Sequence, residues 1–147
     1  MKVGIIVNPI AGAANGGRTR ARVALAKDVL RQCNADGEVF ITTHRQHARQ
    51  LCLDCIERGA ETIVAWGGDG TVNEVASELV FRKPVFGLVP GGSGNGFARE
   101  LGLPRRDPKQ ALVIALQGAS SGGFSRLNTF RATKLIMMRT FSFLHPL

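Results

Sequence analysis

Four short apolar runs recur along this chain, and each ends where a helical pattern or a loop of small residues begins. Residues 3–7 lead into Asn8-Pro9. Residues 39–43 form a second run. Residues 62–66 run into Gly67-Gly68-Asp69-Gly70, and residues 85–89 into Pro90-Gly91-Gly92-Ser93-Gly94-Asn95. Between the runs, apolar residues return at helical spacing: Val23, Ala26, Leu30 and Cys33, then residues 46–58 with Gly59 as a stop, then residues 71–80. A short helix to Leu101 is closed by Gly102. Asp107 and Pro108 start another as N-cap and first helical residue, with Gly118 at its end. Such alternation predicts an α/β fold: a three-layer parallel sheet with helices on both faces. In sheets of this kind ligands bind beyond the carboxyl ends of the strands, where the glycine-rich loops fall.

Composition narrows the class. The 147 residues suit one domain, and 44% hydrophobic content supplies a core. The 18 glycines cluster at a few places, which suits loops that approach a ligand closely. A net charge of +8 attracts phosphates, anionic lipid head groups and nucleic acid alike. With one Trp, no Tyr and no recognised module, nucleic acid is not expected as a partner. Met1 and Lys2 lead directly into an apolar strand, without a signal peptide, and no run is long enough to span a bilayer. The expected location is therefore the reducing cytoplasm, with contact to a membrane surface only at its periphery. Cys52 and Cys55 are formally a CxxC pair. They share one helical face with Ala48, Leu51 and Ile56, so they are expected to be buried and unmetallated.

Several motifs fail on inspection. Gly12-x4-Gly17-Arg18-Thr19 approaches a P-loop, but Arg18 replaces the lysine that acts there as a point charge on phosphate. Gly92-x-Gly94 and Gly68-x-Gly70 begin like dinucleotide fingerprints, but their third glycine positions hold Phe97 and Asn73. Residues 67–71 are more specific. A strand ends, small and acidic residues turn the chain, and a helix begins whose exposed N–H groups suit phosphate. An aspartate there makes sense if Asp69 holds Mg²⁺ or takes a proton from an attacking hydroxyl. The alternative is that Asp69 only caps its own helix. Residues 91–95 repeat the pattern one strand later, and Ser93 and Asn95 can donate to phosphate oxygens.

These residues together resemble a known family. Asn8-Pro9-Ile10-Ala11-Gly12, GGDGTVNEV at 67–75 and GGSGNGFAR at 91–99 look like the three signature blocks of the diacylglycerol kinase catalytic domain, in the expected order. Thr42, followed by His47-Ala48, resembles a further block. The resemblance covers roughly residues 3–118. It implies a lipid kinase that binds ATP with Mg²⁺ and transfers the γ-phosphate to a lipid hydroxyl, diacylglycerol-like or sphingoid. Asp69 would be central to transfer. Asn8, Pro9, Thr42, Gly67, Gly68, Gly70, Thr71, Asn73, Glu74, Gly92, Ser93, Gly94 and Asn95 would be the nucleotide contacts. Such chemistry needs mainly positioning and charge neutralisation.

The chain departs from the family pattern in two ways. Ser93 stands for the usual threonine and keeps its hydroxyl, whereas Gly96 removes a carboxylate. The family continues into a β-rich lipid-binding domain, which is expected to be absent here. Residues 1–118 are thus expected to form the nucleotide-binding domain. Residues 119–147 form an unassigned basic and apolar tail, with Arg126, Arg131, Lys134 and Arg139 but no acid. Two explanations stand, a fragment or an interrupted reading frame, and the abrupt change of composition favours the second. Competing functions are an NAD kinase, which shares GGDGT, and a non-catalytic nucleotide-binding remnant. The identity of the lipid and the oligomeric state are not legible.

Overall fold

A computed structural model describes residues 1–9, 16–120 and 129–130. The elements run β1 (Lys2–Val7), α1 (Gly16–Gln32), β2 (Asp36–Ile41), α2 (His47–Glu57), β3 (Thr62–Gly67), α3 (Asp69–Leu79), β4 (Val85–Pro90), α4 (Gly96–Glu100), α5 (Pro108–Ser120) and β5 (Thr129–Phe130). The sheet order is β2-β1-β3-β4-β5. The first four strands pair in parallel, as the alternating pattern predicts.

Each inner strand divides its side chains between two cores, as the pleat requires. Val3, Ile5 and Val7 of β1, with Val64 and Trp66 of β3, pack against α1 and α5. Ile6, Ile63 and Ala65 face the other way, against α2, α3 and α4. Both faces of β3 are buried along its whole length, which is why it reads as an unbroken apolar run. The outer strand β2 alternates between exposed and half-buried residues. Helix α2 lies close on β1: a Cβ at Gly4 would stand 2.6 Å from the Cys55 sulfur.

Local signals behave as the sequence indicates in several places. The Gln110 N–H donates to Asp107 Oδ1 at 2.9 Å, so Asp107 is the N-cap of α5. Gly59, just past α2, has φ +81, the left-handed turn that favours glycine at a helix end. Other boundaries shift. Strand β2 begins at Asp36 and ends at Ile41, so Thr42 lies just past it. Gly16 and Gly17 open helix α1 and are no part of a loop. Helix α5 passes through Gly118 to Ser120, because glycine weakens a helix without ending it. Strand β5 has no counterpart in the sequence pattern; it adds to β4 antiparallel, at Phe86↔Phe130 and Gly87↔Thr129. Ile10, Ala11, Gly12 and the tail arginines and lysine lie outside the described residues. No helix among the described residues is long and apolar enough to cross a membrane.

Cys52 and Cys55 are 0% and 3% exposed, inside the α2–sheet core. Burial pushes the Cys52 thiol up to about 12 and the Cys55 thiol up to about 11, from 9.0. Above pH 9 the unfolded chain releases thiol protons that the folded chain keeps. The thiols therefore contribute stability below that pH, and lose it as pH rises through the folded values. Labelling of native protein with a thiol reagent at pH 8 should be slow. The urea midpoint should fall between pH 9 and about 11, less steeply in a C52A/C55A variant. Rapid labelling of both native cysteines contradicts their burial.

Candidate functional site

The strand order places a topological switch between β1 and β3. The chain leaves β1 through α1 on one face toward β2, and returns over the other face through α2 to β3. The loops after β1 and β3 therefore diverge and leave a crevice at the carboxyl edge. Asn8 stands at that crevice. Its N–H donates to the Trp66 carbonyl at 2.9 Å, and its Nδ2 donates to Thr71 Oγ1 at 2.9 Å. The Thr71 side chain lies over the β3 end so closely that a Cβ at Gly67 would stand 2.7 Å from Thr71 Oγ1.

The next strand brings the second glycine loop alongside. The Gly91 N–H donates to the Gly67 carbonyl at 2.9 Å, which extends the β3–β4 ladder into the loops. One residue further the two backbones touch: a Cβ at Gly92 would stand 2.7 Å from Gly68 Cα. No side chain fits between them. Asn95 then folds back on Gly92, accepting its N–H at 2.9 Å and donating to its carbonyl through Nδ2. The Asn95 amide, expected to face phosphate oxygens, is thus engaged in closing its own loop. It adopts φ +48, a left-handed conformation that asparagine tolerates better than most residues.

Asp69 joins the two loops. Its carboxylate accepts the Gly96 N–H at 3.0 Å and the Phe97 N–H at 3.4 Å. These are the first amides of α4, whose own N-cap residue, Asn95, makes no side-chain cap. The N-cap of α3 is Gly68, and Asp69 is that helix's first residue. Asp69 therefore caps the neighbouring helix, a tertiary contact that spacing along the chain could not reveal. Gly96, where the resemblance leads one to expect a carboxylate, comes so near that a Cβ there would stand 3.4 Å from Asp69 Oδ2.

The remaining expected residues line the same edge at various distances. The Thr42 N–H donates to the Val7 carbonyl at 2.9 Å, and its side chain is buried. Glu74 reaches across from α3, where its Oε1 accepts the Gln46 N–H at 3.2 Å and ties α3 to the start of α2. His47 accepts the Thr43 N–H through Nδ1 at 3.0 Å and stacks on His44 with ring centroids 4.5 Å apart. Pro9 is half-buried, whereas Gly70, Asn73, Ser93 and Gly94 are exposed. No group of three His, Cys, Asp or Glu side chains that could hold a metal forms among the described residues. Asp69 is a carboxylate at this edge that could contribute to holding a metal ion.

Sequence reasoning missed Arg22. From the fourth-residue ridge of α1 shared with Arg18, its guanidinium donates to the Asn8 carbonyl at 3.1 Å and the Gly91 carbonyl at 3.4 Å. It also lies 5.6 Å from the centre of the Trp66 ring. Burial, then the nearby Arg18, holds its pKa below the ordinary value. Arg18, Arg22, Trp66, Gly92, Asn95 and Arg105 line a cleft of about 450 Å³ on this face of the loops. No local pattern marks one helix arginine among several as the one that turns inward.

A mostly parallel sheet sandwiched by helices, with two abutting glycine loops at its carboxyl edge, defines a three-layer α/β domain. The chain belongs to the diacylglycerol kinase catalytic domain family, whose model matches residues 2–123. It is 36% identical over 104 residues to the Klebsiella pneumoniae protein named "Probable lipid kinase YegS-like", covering 69% of this chain and 35% of that protein. It is 31% identical over 118 residues to a diacylglycerol kinase of Mycobacterium tuberculosis, covering 80% of this chain and 37% of that one. The crystal structure of a diacylglycerol kinase from Bacillus anthracis superposes with a TM-score of 0.66 at 28% identity, over 79% of this chain and 39% of that one. The chain thus spans well under half the length of these relatives.

The Asn95–Gly92 closure generates a direct test. Asn95→Ala removes two hydrogen bonds and places alanine at positive φ, which should cost about 1–3 kcal/mol in urea unfolding. Asn95→Gly removes the same bonds but relieves the backbone, so it should cost less than alanine. Equal stability of Asn95→Ala and the parent would show that the closure contributes nothing.

Proposed function

We propose that this chain binds Mg-ATP across the ends of β1, β3 and β4, and serves transfer of the γ-phosphate to a lipid hydroxyl. Gly70 carries the reading. A Cβ at Gly67 or Gly92 would come within 2.7 Å of neighbouring atoms of the chain, and one at Gly91 would be tight at 3.0 Å, so packing accounts for these glycines. Gly70 meets nothing within 4 Å, although it sits in the first turn of α3, where other residues are accommodated. A glycine that the fold does not require, at an exposed helix start beside a second open loop, is accounted for by a phosphate that approaches the backbone there.

Residues 1–118 are then the nucleotide-binding unit. The β- and γ-phosphates would lie on the backbone of residues 68–71 and 92–94, with the Ser93 hydroxyl as a further donor. Asn8 and Thr42 would bound the site on the β1 and β2 side. Mg²⁺ would supply charge neutralisation at the phosphates. Asp69 would hold the ion or accept the proton of the attacking hydroxyl, and its bonds to the Gly96 and Phe97 amides support this reading by keeping the second loop in register. The names of the relatives support a lipid as acceptor, and a lipid of that class would be met at a membrane surface. The basic balance of the chain favours an anionic surface of that kind.

Calorimetry tests the donor site. Mg-ATP should bind the parent, and Asp69→Asn and Gly92→Val should each weaken it about tenfold or more. Variants that bind like the parent would show that the nucleotide lies elsewhere. Radiolabelled ATP in mixed micelles containing diacylglycerol, sphingosine or ceramide tests the acceptor, with NAD in a parallel reaction. Label entering NAD and no lipid would replace the lipid reading with an NAD kinase.

A further inference from the structure

Arg22 touches both strand ends that flank the 67–71 loop. The Asn8 carbonyl, at the end of β1, and the Gly91 carbonyl, at the end of β4, each accept one nitrogen of the same guanidinium, and the plane lies over Trp66 of the intervening β3. Each clamped residue leads directly to a contact with the central loop. Asn8 holds Thr71 through its side chain, and Gly91 precedes Gly92, whose backbone abuts Gly68. One side chain from the α1 face thereby reaches the ends of three strands, beside the loop residues Gly92 and Asn95 that line the same cleft. A planar guanidinium presents its donors in a fixed fork wide enough for two separated carbonyls beside a ring, whereas a lysine ammonium gathers its donors at a single point.

We infer that Arg22 is a positioning residue for the nucleotide site: its guanidinium clamps the ends of β1 and β4, and so fixes how the Asn8 and Gly92 segments meet the loop of residues 67–71. This role rests on the Mg-ATP reading given above. Arg22 acts through the backbone and touches no reacting atom. A site whose phosphate donors are backbone amides depends on the spacing of those segments, because a donor displaced by a fraction of an ångström no longer aligns with its acceptor.

The test uses the full chain with Arg22→Lys and Arg22→Met. Hydrogen exchange followed by mass spectrometry reads the clamp without any ligand. Both variants should exchange faster at Asn8 and at residues 91–97, with α2 unchanged. Calorimetry reads the consequence: Mg-ATP affinity should fall about tenfold in both, the loss expected for a charge-assisted hydrogen bond, and AMP affinity should fall less. Recovery of parental exchange and ATP affinity by Arg22→Lys would overturn the clamp in favour of charge alone. Faster exchange throughout the domain, with equal losses for ATP and AMP, would reduce Arg22 to a general packing residue. Unchanged exchange at both loops refutes the clamp even if the parent binds ATP. A parent chain that binds no Mg-ATP overturns the nucleotide reading and this role with it, while local exchange still reports whether the clamp exists.

Discussion

The contact of two backbones at Gly68 and Gly92 organises the carboxyl edge of this domain. It follows from parallel pairing: the Gly91-to-Gly67 hydrogen bond prolongs the β3–β4 ladder past the strands, and the next residues of the two loops then have no choice but to meet. A side chain at Gly92 would push the loops apart and separate Asp69 from the amides of Gly96 and Phe97. Helix α4 would lose the carboxylate that caps its start. Phe97 and Ala98, buried beside α3, would lose the anchor that seats them.

This dependence makes the site a single mechanical unit assembled from distant parts of the chain. Asn8, Asp69, Asn95 and Arg22 each spend polar groups on another loop or on closing their own. Asn8 binds Thr71, Asp69 binds the start of α4, Asn95 closes on Gly92, and Arg22 ties β1 to β4. The loops carry many glycines, which alone would leave them conformationally free at a high entropic cost of ordering. These hydrogen bonds supply the restraint that side-chain packing cannot, and leave Gly70, Ser93 and Gly94 exposed at the proposed phosphate site. Proteins that position a donor for phosphoryl transfer need this combination of open backbone and fixed geometry.

The two faces of the sheet divide the work. Helices α2, α3 and α4 stand on the face that carries Asp69 and Glu74, and Glu74 links α3 to the entry of α2. Helices α1 and α5 cover the other face, where Trp66 forms the floor beneath Arg22 and the arginine-lined cleft. Helices α1 to α5 thus supply both walls of the loop edge from elements packed on a common sheet, and the family likeness covers residues 2–123.

Much of this architecture is legible in the amino-acid sequence. The strands stand out because β1 and β3 are covered on both faces and are largely apolar; the CxxC residues fall on one helix face with Ala48, as their spacing predicts for a helix; Asp107-Pro108 opens α5 by local capping chemistry. The three glycine blocks identify the family because each demands residues that few other folds tolerate in that order. All of these signals are local or short in period. The strand order that puts the crevice between β1 and β3, the use of Asp69 to cap α4 when its own helix is capped by Gly68, the withdrawal of the Asn95 amide into its loop, the short antiparallel β5 and the inward turn of Arg22 depend on how the chain packs in three dimensions. Nothing in the spacing of residues along the chain encodes which carbonyl sixty-nine positions away an arginine will find. Sequence determined the elements and the chemistry available at their ends; packing around the sheet decided which of those groups face a ligand and which hold the others in place.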